Sequence, residues 1–135
     1  MRLFLAINLS QRTRSLLEKK INSIKSEVNQ DLKWVKQENW HFTLKFLGEV
    51  KETGVEKIEP IIDNISTQFH KFSVRMEKID AFPHINHPKV LYCGVNQGQK
   101  QLQQIHEKLD HDLGEIGFET ETREYTPHLT FARSK

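Results

Sequence analysis

A single cysteine, Cys93, excludes an internal disulfide and a cysteine-built zinc site. That economy fits a reducing compartment, so a cytoplasmic location is expected. Four prolines and six glycines in 135 residues leave no room for a linker or a low-complexity tract. No apolar run approaches the roughly 20 residues of a membrane span, and the apolar start Met1 to Ile7 is too short for a secretory signal. A formal net charge of +2 neither demands nor excludes an anionic ligand. With 36% hydrophobic and 28% charged residues, the chain has the composition of one soluble domain spanning 1–135.

Apolar periodicity predicts the elements. Residues 3–9 form a nearly unbroken apolar run and predict a largely buried strand. Ser10 is a good cap for a helix over 14–28, whose expected inner stripe is Leu16, Leu17, Ile21, Ile24 and Val28. Asn29-Gln30-Asp31 should end it. A short strand at 33–35, a turn at 36–39 and a strand from Trp40 to Leu47, stopped by Gly48, follow. A second helix is predicted over 55–69, with Pro60 either in its first turn or at a kink. Strands at 72–79 and 89–95 flank a proline-bounded loop at 81–88. A third helix carries Leu102, Ile105, Leu109 and Leu113, and ends near Gly114 or Gly117. Residues 118–124 alternate with charges as an edge strand would, and the last strand carries His128. Helices and strands do not alternate strictly, so the expected class is α+β with antiparallel sheets.

Two short runs share one grammar. His41-Phe42-Thr43-Leu44 and His128-Leu129-Thr130-Phe131 each place a threonine two residues after a histidine, with apolar residues between and after. On a strand the His and Thr then share a face, roughly 7 Å apart. Chance would give this chain roughly 0.4 His-x-Thr triplets, so one means nothing and two on strands mean more. If the two strands lie side by side, two imidazoles and two hydroxyls converge. Opening a ribose cyclic phosphate needs a base for water, an acid for the leaving sugar oxygen and donors for the phosphate. Histidine, titrating near about 6.5, suits the first two roles. Threonine, a stiff hydroxyl donor, suits the third. Such chemistry needs no metal and no cofactor. The competing reading of each histidine is a structural one, hydrogen-bonded in a core.

The paired motifs resemble the two His-x-Thr-x signatures of the two-histidine (2H) phosphoesterases. Within them the chain is similar to the RNA 2′,3′-cyclic phosphodiesterases, also called 2′-5′ RNA ligases. Further likeness lies in Arg2-Leu3-Phe4-Leu5-Ala6-Ile7, in Phe46-Leu47-Gly48-Glu49-Val50, in Phe82-Pro83 with Pro88 to Tyr92, and in the ending Pro127 to Arg133. The resemblance implies a bilobal α+β fold, its two antiparallel sheets related by a pseudo-two-fold axis with helices outside. It makes His41 and His128 the acid–base pair and Thr43 and Thr130 the phosphate donors. Arg133 falls where the family has a basic residue near the site. Which histidine is the base stays open, and the two would exchange roles in the reverse, joining direction. The family usually continues past the second motif. The chain is therefore expected to be C-terminally shortened, either truncated or with the family's last strands absent or provided by another chain, and a second motif strand left at an edge would be less rigid.

The implied partner is RNA with a 2′,3′-cyclic phosphate end, tRNA fragments among them, or a small cyclic nucleotide or cyclic ADP-ribose phosphate. No membrane is involved and a monomer is expected. A rival function is an RNA-end or nucleotide-phosphate binding protein without turnover. His84-Ile85-Asn86-His87 lacks a nearby carboxylate and is read as a solvated loop rather than a metal site. His106 and His111 are read as surface residues and His70 as a helix end. Trp34, Trp40 and Cys93 are read mainly as packing residues.

Overall fold

A computed structural model of the protein describes residues 1–28, 31–84 and 87–135. Its strands are β1 (Arg2–Asn8), β2 (Leu32–Trp34), β3 (His41–Glu49), β4 (Arg75–Phe82), β5 (Val90–Gln97) and β6 (His128–Ser134). Its helices are α1 (Gln11–Glu27), α2 (Glu52–Gln68) and α3 (Gln99–Gly114), with one 3₁₀ turn over Gln37–Asn39. All strand pairs are antiparallel. β1 and β3 make a two-stranded sheet, while the other four run in the order β2-β6-β5-β4. The expected α+β class with two antiparallel sheets holds.

Each sheet has its own core. The four-stranded sheet buries Leu91, Cys93, Leu129 and Phe131 against Leu17 and Ile21 of α1. The two-stranded sheet buries Leu44 beneath Ile58 and Ile65 of α2 and Leu102, Leu109 and Leu113 of α3. β3 joins the two, because Phe42 packs in the first core and Leu44 in the second.

Several sequence expectations shift. The Ser10 hydroxyl accepts from the Thr13 amide and opens α1, as read. Leu16 does not join its inner stripe: it is 58% exposed, because Leu17 takes the core and adjacent helix positions diverge. The expected stop at Asn29 and Gln30 lies outside the described residues, as do Ile85 and Asn86 of the histidine loop. Pro60 sits in the interior of α2, beyond the first turn. It faces outward, so water can satisfy the Glu56 carbonyl that its missing N–H leaves free. β1 is mostly half-exposed rather than buried, since only one face of its two-stranded sheet is covered.

The expected edge strand over 118–124 is absent. Its backbone is tied by side chains instead: the Glu121 N–H donates to the Asp110 carboxylate, and the Glu119 carbonyl accepts from Lys45 Nζ at 2.8 Å. The last strand is no edge either, because β6 lies between β2 and β5. Among the described residues no helix is long and apolar enough to cross a membrane.

Candidate active site

The two motif strands approach each other but are not hydrogen-bonded to one another. β3 and β6 belong to different sheets, and both line one groove of about 730 Å³. His41, Thr43, His128, Thr130 and Arg133 all reach it. Residues of the segment from Glu121 to Thr126 supply another wall.

A bulge follows each threonine. On β3 the pairing jumps from Ala6↔Thr43 to Leu5↔Lys45, leaving Leu44 extra. On β6 it jumps from Tyr92↔Thr130 to Leu91↔Ala132, leaving Phe131 extra. Two successive residues then face inward, Leu44 with Lys45 and Phe131 with Ala132. The alternation is thereby reset. The fifth residue after each histidine, Phe46 or Arg133, comes out on the groove face. Strict alternation would have put both on the opposite face. Phe46, 67% exposed, is a groove residue that periodicity misses, as are His106 and Tyr125. For Phe46 the only hint in the sequence is that its spacing from His41 matches that of Arg133 from His128.

His41 is half-buried, with the Phe4 ring stacked on it at 4.9 Å. Burial, and then the nearby Arg14 guanidinium, hold its pKa below the usual histidine value. Arg14 is itself fixed by donating to the Leu9 carbonyl at 3.2 Å and to the Gln37 carbonyl. That shift favours the neutral imidazole, which suits His41 to accept a proton. His128 is exposed, and its Nδ1 lies 2.8 Å from the Thr126 carbonyl oxygen. A carbonyl only accepts, so Nδ1 carries the hydrogen and Nε2 is the nitrogen left for proton exchange. Tyr92 meets the His128 ring edge-on at 5.5 Å.

Beneath β3, three side chains grip consecutive residues. Tyr125 Oη donates to the Thr43 carbonyl at 2.7 Å. His106 Nδ1 donates to the Leu44 carbonyl at 2.6 Å, and its ring stacks on Tyr125 at 4.3 Å. Lys45 Nζ meets Asp110 at 2.6 Å. His106 is thus buried, not a surface residue: the bulge frees the Leu44 carbonyl from the ladder, and His106 satisfies it. Burial pushes the Tyr125 hydroxyl up to about 12, so it stays a donor throughout the neutral range.

Trp40 is buried and donates to the Val35 carbonyl, and Trp34 packs on Phe131, so both act as core residues. Cys93 is buried, and burial raises its thiol pKa. Among the described residues His111, Asp112 and Glu115 cluster at the end of α3 with ligand-type atoms within 4.8 Å of one another. They lie outside the groove wall.

The family model for LigT-like phosphoesterases matches residues 15–92 and 94–135. The chain belongs to this family. It is 36% identical over 135 residues to the RNA 2′,3′-cyclic phosphodiesterase of Methanocaldococcus jannaschii, covering all of this chain and 72% of that protein. It is also 36% identical over 104 residues to the one of Aeropyrum pernix, covering 77% of this chain and 58% of that protein. The Bacillus subtilis RNA 2′,3′-cyclic phosphodiesterase matches at 36% over 101 residues, 75% of this chain and 55% of its own length. This LigT-like chain therefore spans between about half and three quarters of these relatives. A protein of Thermus thermophilus superposes with a TM-score of 0.79 at 23% identity, covering 100% of this chain and 75% of that one. E. coli LigT complexed with 3′-AMP gives 0.73 at 24% identity, over 99% and 74%. At these identities the superpositions establish the fold.

Proposed function

We propose that the protein is a metal-independent phosphodiesterase that opens 2′,3′-cyclic phosphate ends of RNA to 2′-phosphates. One observation carries it: both His-x-Thr pairs and Arg133, far apart in sequence, line the same groove. Three relatives at 36% identity bear the name RNA 2′,3′-cyclic phosphodiesterase, which supports the substrate class.

His41 is the base. Its depressed pKa keeps it neutral, and it takes a proton as a water oxygen bonds to phosphorus. The bond from phosphorus to the 3′ oxygen breaks, and His128 Nε2 gives that oxygen its proton. The product is a 2′-phosphate beside a 3′-hydroxyl, with a proton gained by His41 and lost by His128. Thr43 and Thr130 donate hydroxyl hydrogen bonds to the non-bridging oxygens. Arg133 opposes the phosphate charge with a planar, always ionised fork. Phe46 offers an exposed ring to a base. A 5′-hydroxyl in place of water would form a 2′-5′ linkage by the same steps. The matching bulges after both threonines support one domain of two related halves.

The test is incubation with 2′,3′-cyclic AMP and with an RNA oligomer ending in the same group. Turnover to the 2′-phosphate that persists in EDTA is expected. His41→Ala and His128→Ala should each fall about 10²–10⁴-fold while staying folded. Binding without product would favour the rival, an RNA-end binding protein. A rate abolished by EDTA would favour metal-assisted hydrolysis.

A further inference from the structure

Lys33 of β2 stands directly opposite Arg133 of β6. Opposed residues of an antiparallel pair share a face, with Cβ atoms about 4.5–5.5 Å apart. Arg133 lines the groove, and so does Val35, which follows Lys33 by two residues. Lys33 does not line the groove itself; it stands one strand spacing, about 4.8 Å, beyond Arg133 on the same face.

Two like charges held opposite each other oppose folding rather than help it. The obvious carboxylate to relieve them, Asp31, is instead paired with Lys135 at 2.8 Å. Both Lys33 and Arg133 are exposed, and among the described residues no ion pair engages either. A phosphate lying between them would remove the repulsion. The terminal cyclic phosphate belongs between the two His-x-Thr pairs, with Arg133 at its border. A single-stranded RNA presents its next phosphate one nucleotide upstream, in reach of the neighbouring strand.

We propose that Lys33, one strand spacing beyond the Arg133 that borders the terminal phosphate, holds the backbone phosphate upstream of the cyclic end, giving the groove a preference for oligoribonucleotides over mononucleotides. This rests on the groove being an RNA-end site. A cyclic mononucleotide has no upstream phosphodiester and cannot use Lys33.

The experiment compares kcat/KM on a five-nucleotide RNA ending in 2′,3′-cyclic phosphate with kcat/KM on 2′,3′-cyclic AMP, across a salt series. In Lys33→Gln the oligomer-to-mononucleotide ratio should fall about fivefold, and the log–log salt slope for the oligomer should flatten by about 0.7. Lys33→Arg should restore the ratio. Lys33→Glu places opposite charges across the pair, so Tm should rise while the ratio drops further. An unchanged ratio and slope in Lys33→Gln would overturn the proposal. An equal fall on both substrates would also overturn it, assigning Lys33 to the terminal phosphate. If the wild-type protein turns over neither substrate, the phosphodiesterase reading fails separately. Fluorescence anisotropy with the labelled five-nucleotide RNA then decides the clamp, and equal affinity of wild type and Lys33→Gln would end it.

Discussion

The Phe4 ring lies over the His41 imidazole, with centroids 4.9 Å apart and 28° between planes. It comes from the strand paired to β3, and it supplies part of the burial that lowers the His41 pKa. Burial disfavours the imidazolium, so the base is neutral, and the rate is supported, down to a pH below the ordinary value of 6.5. Phe4→Ala admits water to the ring. The acid limb of the kcat/KM profile should then move up toward the ordinary histidine value, read from rates across the acid and neutral range. A limb that stays put would mean that Arg14, not burial, sets the value.

Tyr125 should act through Thr43. Its hydroxyl holds the Thr43 carbonyl, and Tyr125→Phe removes that bond while keeping the ring on His106. A net loss of about 1 kcal/mol in stability is expected from one hydrogen bond. Activity should fall by more than that, since a phosphate donor displaced by about 1 Å can lose ~100-fold. Urea unfolding and kcat measured together separate the two effects. A stability loss with kcat intact would confine Tyr125 to a structural role.

The Lys45–Asp110 pair fixes α3 and the groove wall to β3. Lys45 is nearly fully enclosed, its side chain 2% exposed. Burial alone would raise the Asp110 pKa. The Lys45 and Glu121 hydrogen bonds outweigh it, so the net shift is downward from 3.8. The stability so gained is present above that ordinary value and is lost as pH falls through the depressed one. Asp110→Asn leaves the Lys45 ammonium buried without a counter-charge, at a cost of about 3–5 kcal/mol. Chemical denaturation at neutral pH checks the magnitude, and a loss well below about 3 kcal/mol would contradict the pairing as described.

Arg133 should bind rather than transfer protons. Arg133→Gln keeps a polar side chain but loses the charged fork. KM for 2′,3′-cyclic AMP should rise about tenfold, in line with the ~1.5–3 kcal/mol of a hydrogen bond to a charged group. The pH profile should keep its shape, because His41 and His128 remain. A collapse of kcat with unchanged KM would place Arg133 in the chemical step instead.

Much of this protein is settled within a few residues of chain and was legible there. Two-residue alternation puts His41 with Thr43 and His128 with Thr130 on shared faces. The three helices and the Ser10 cap follow from spacing and side-chain chemistry, and so does the antiparallel α+β class. What depends on distant partners waited for the folded molecule. Which sheet each motif joins is set by pairing with β1 or with β2 and β5. The two bulges are mismatches of register between segments far apart in sequence, so nothing in Thr43 to Phe46 or Thr130 to Arg133 alone announces them. His106 is buried because a bulge on another element leaves a carbonyl to satisfy. Residues 118–124 have the alternation of a strand, but Asp110 and Lys45 claim their backbone first. Phe46 and Arg133 face the groove only because one extra residue on each motif strand turns them there.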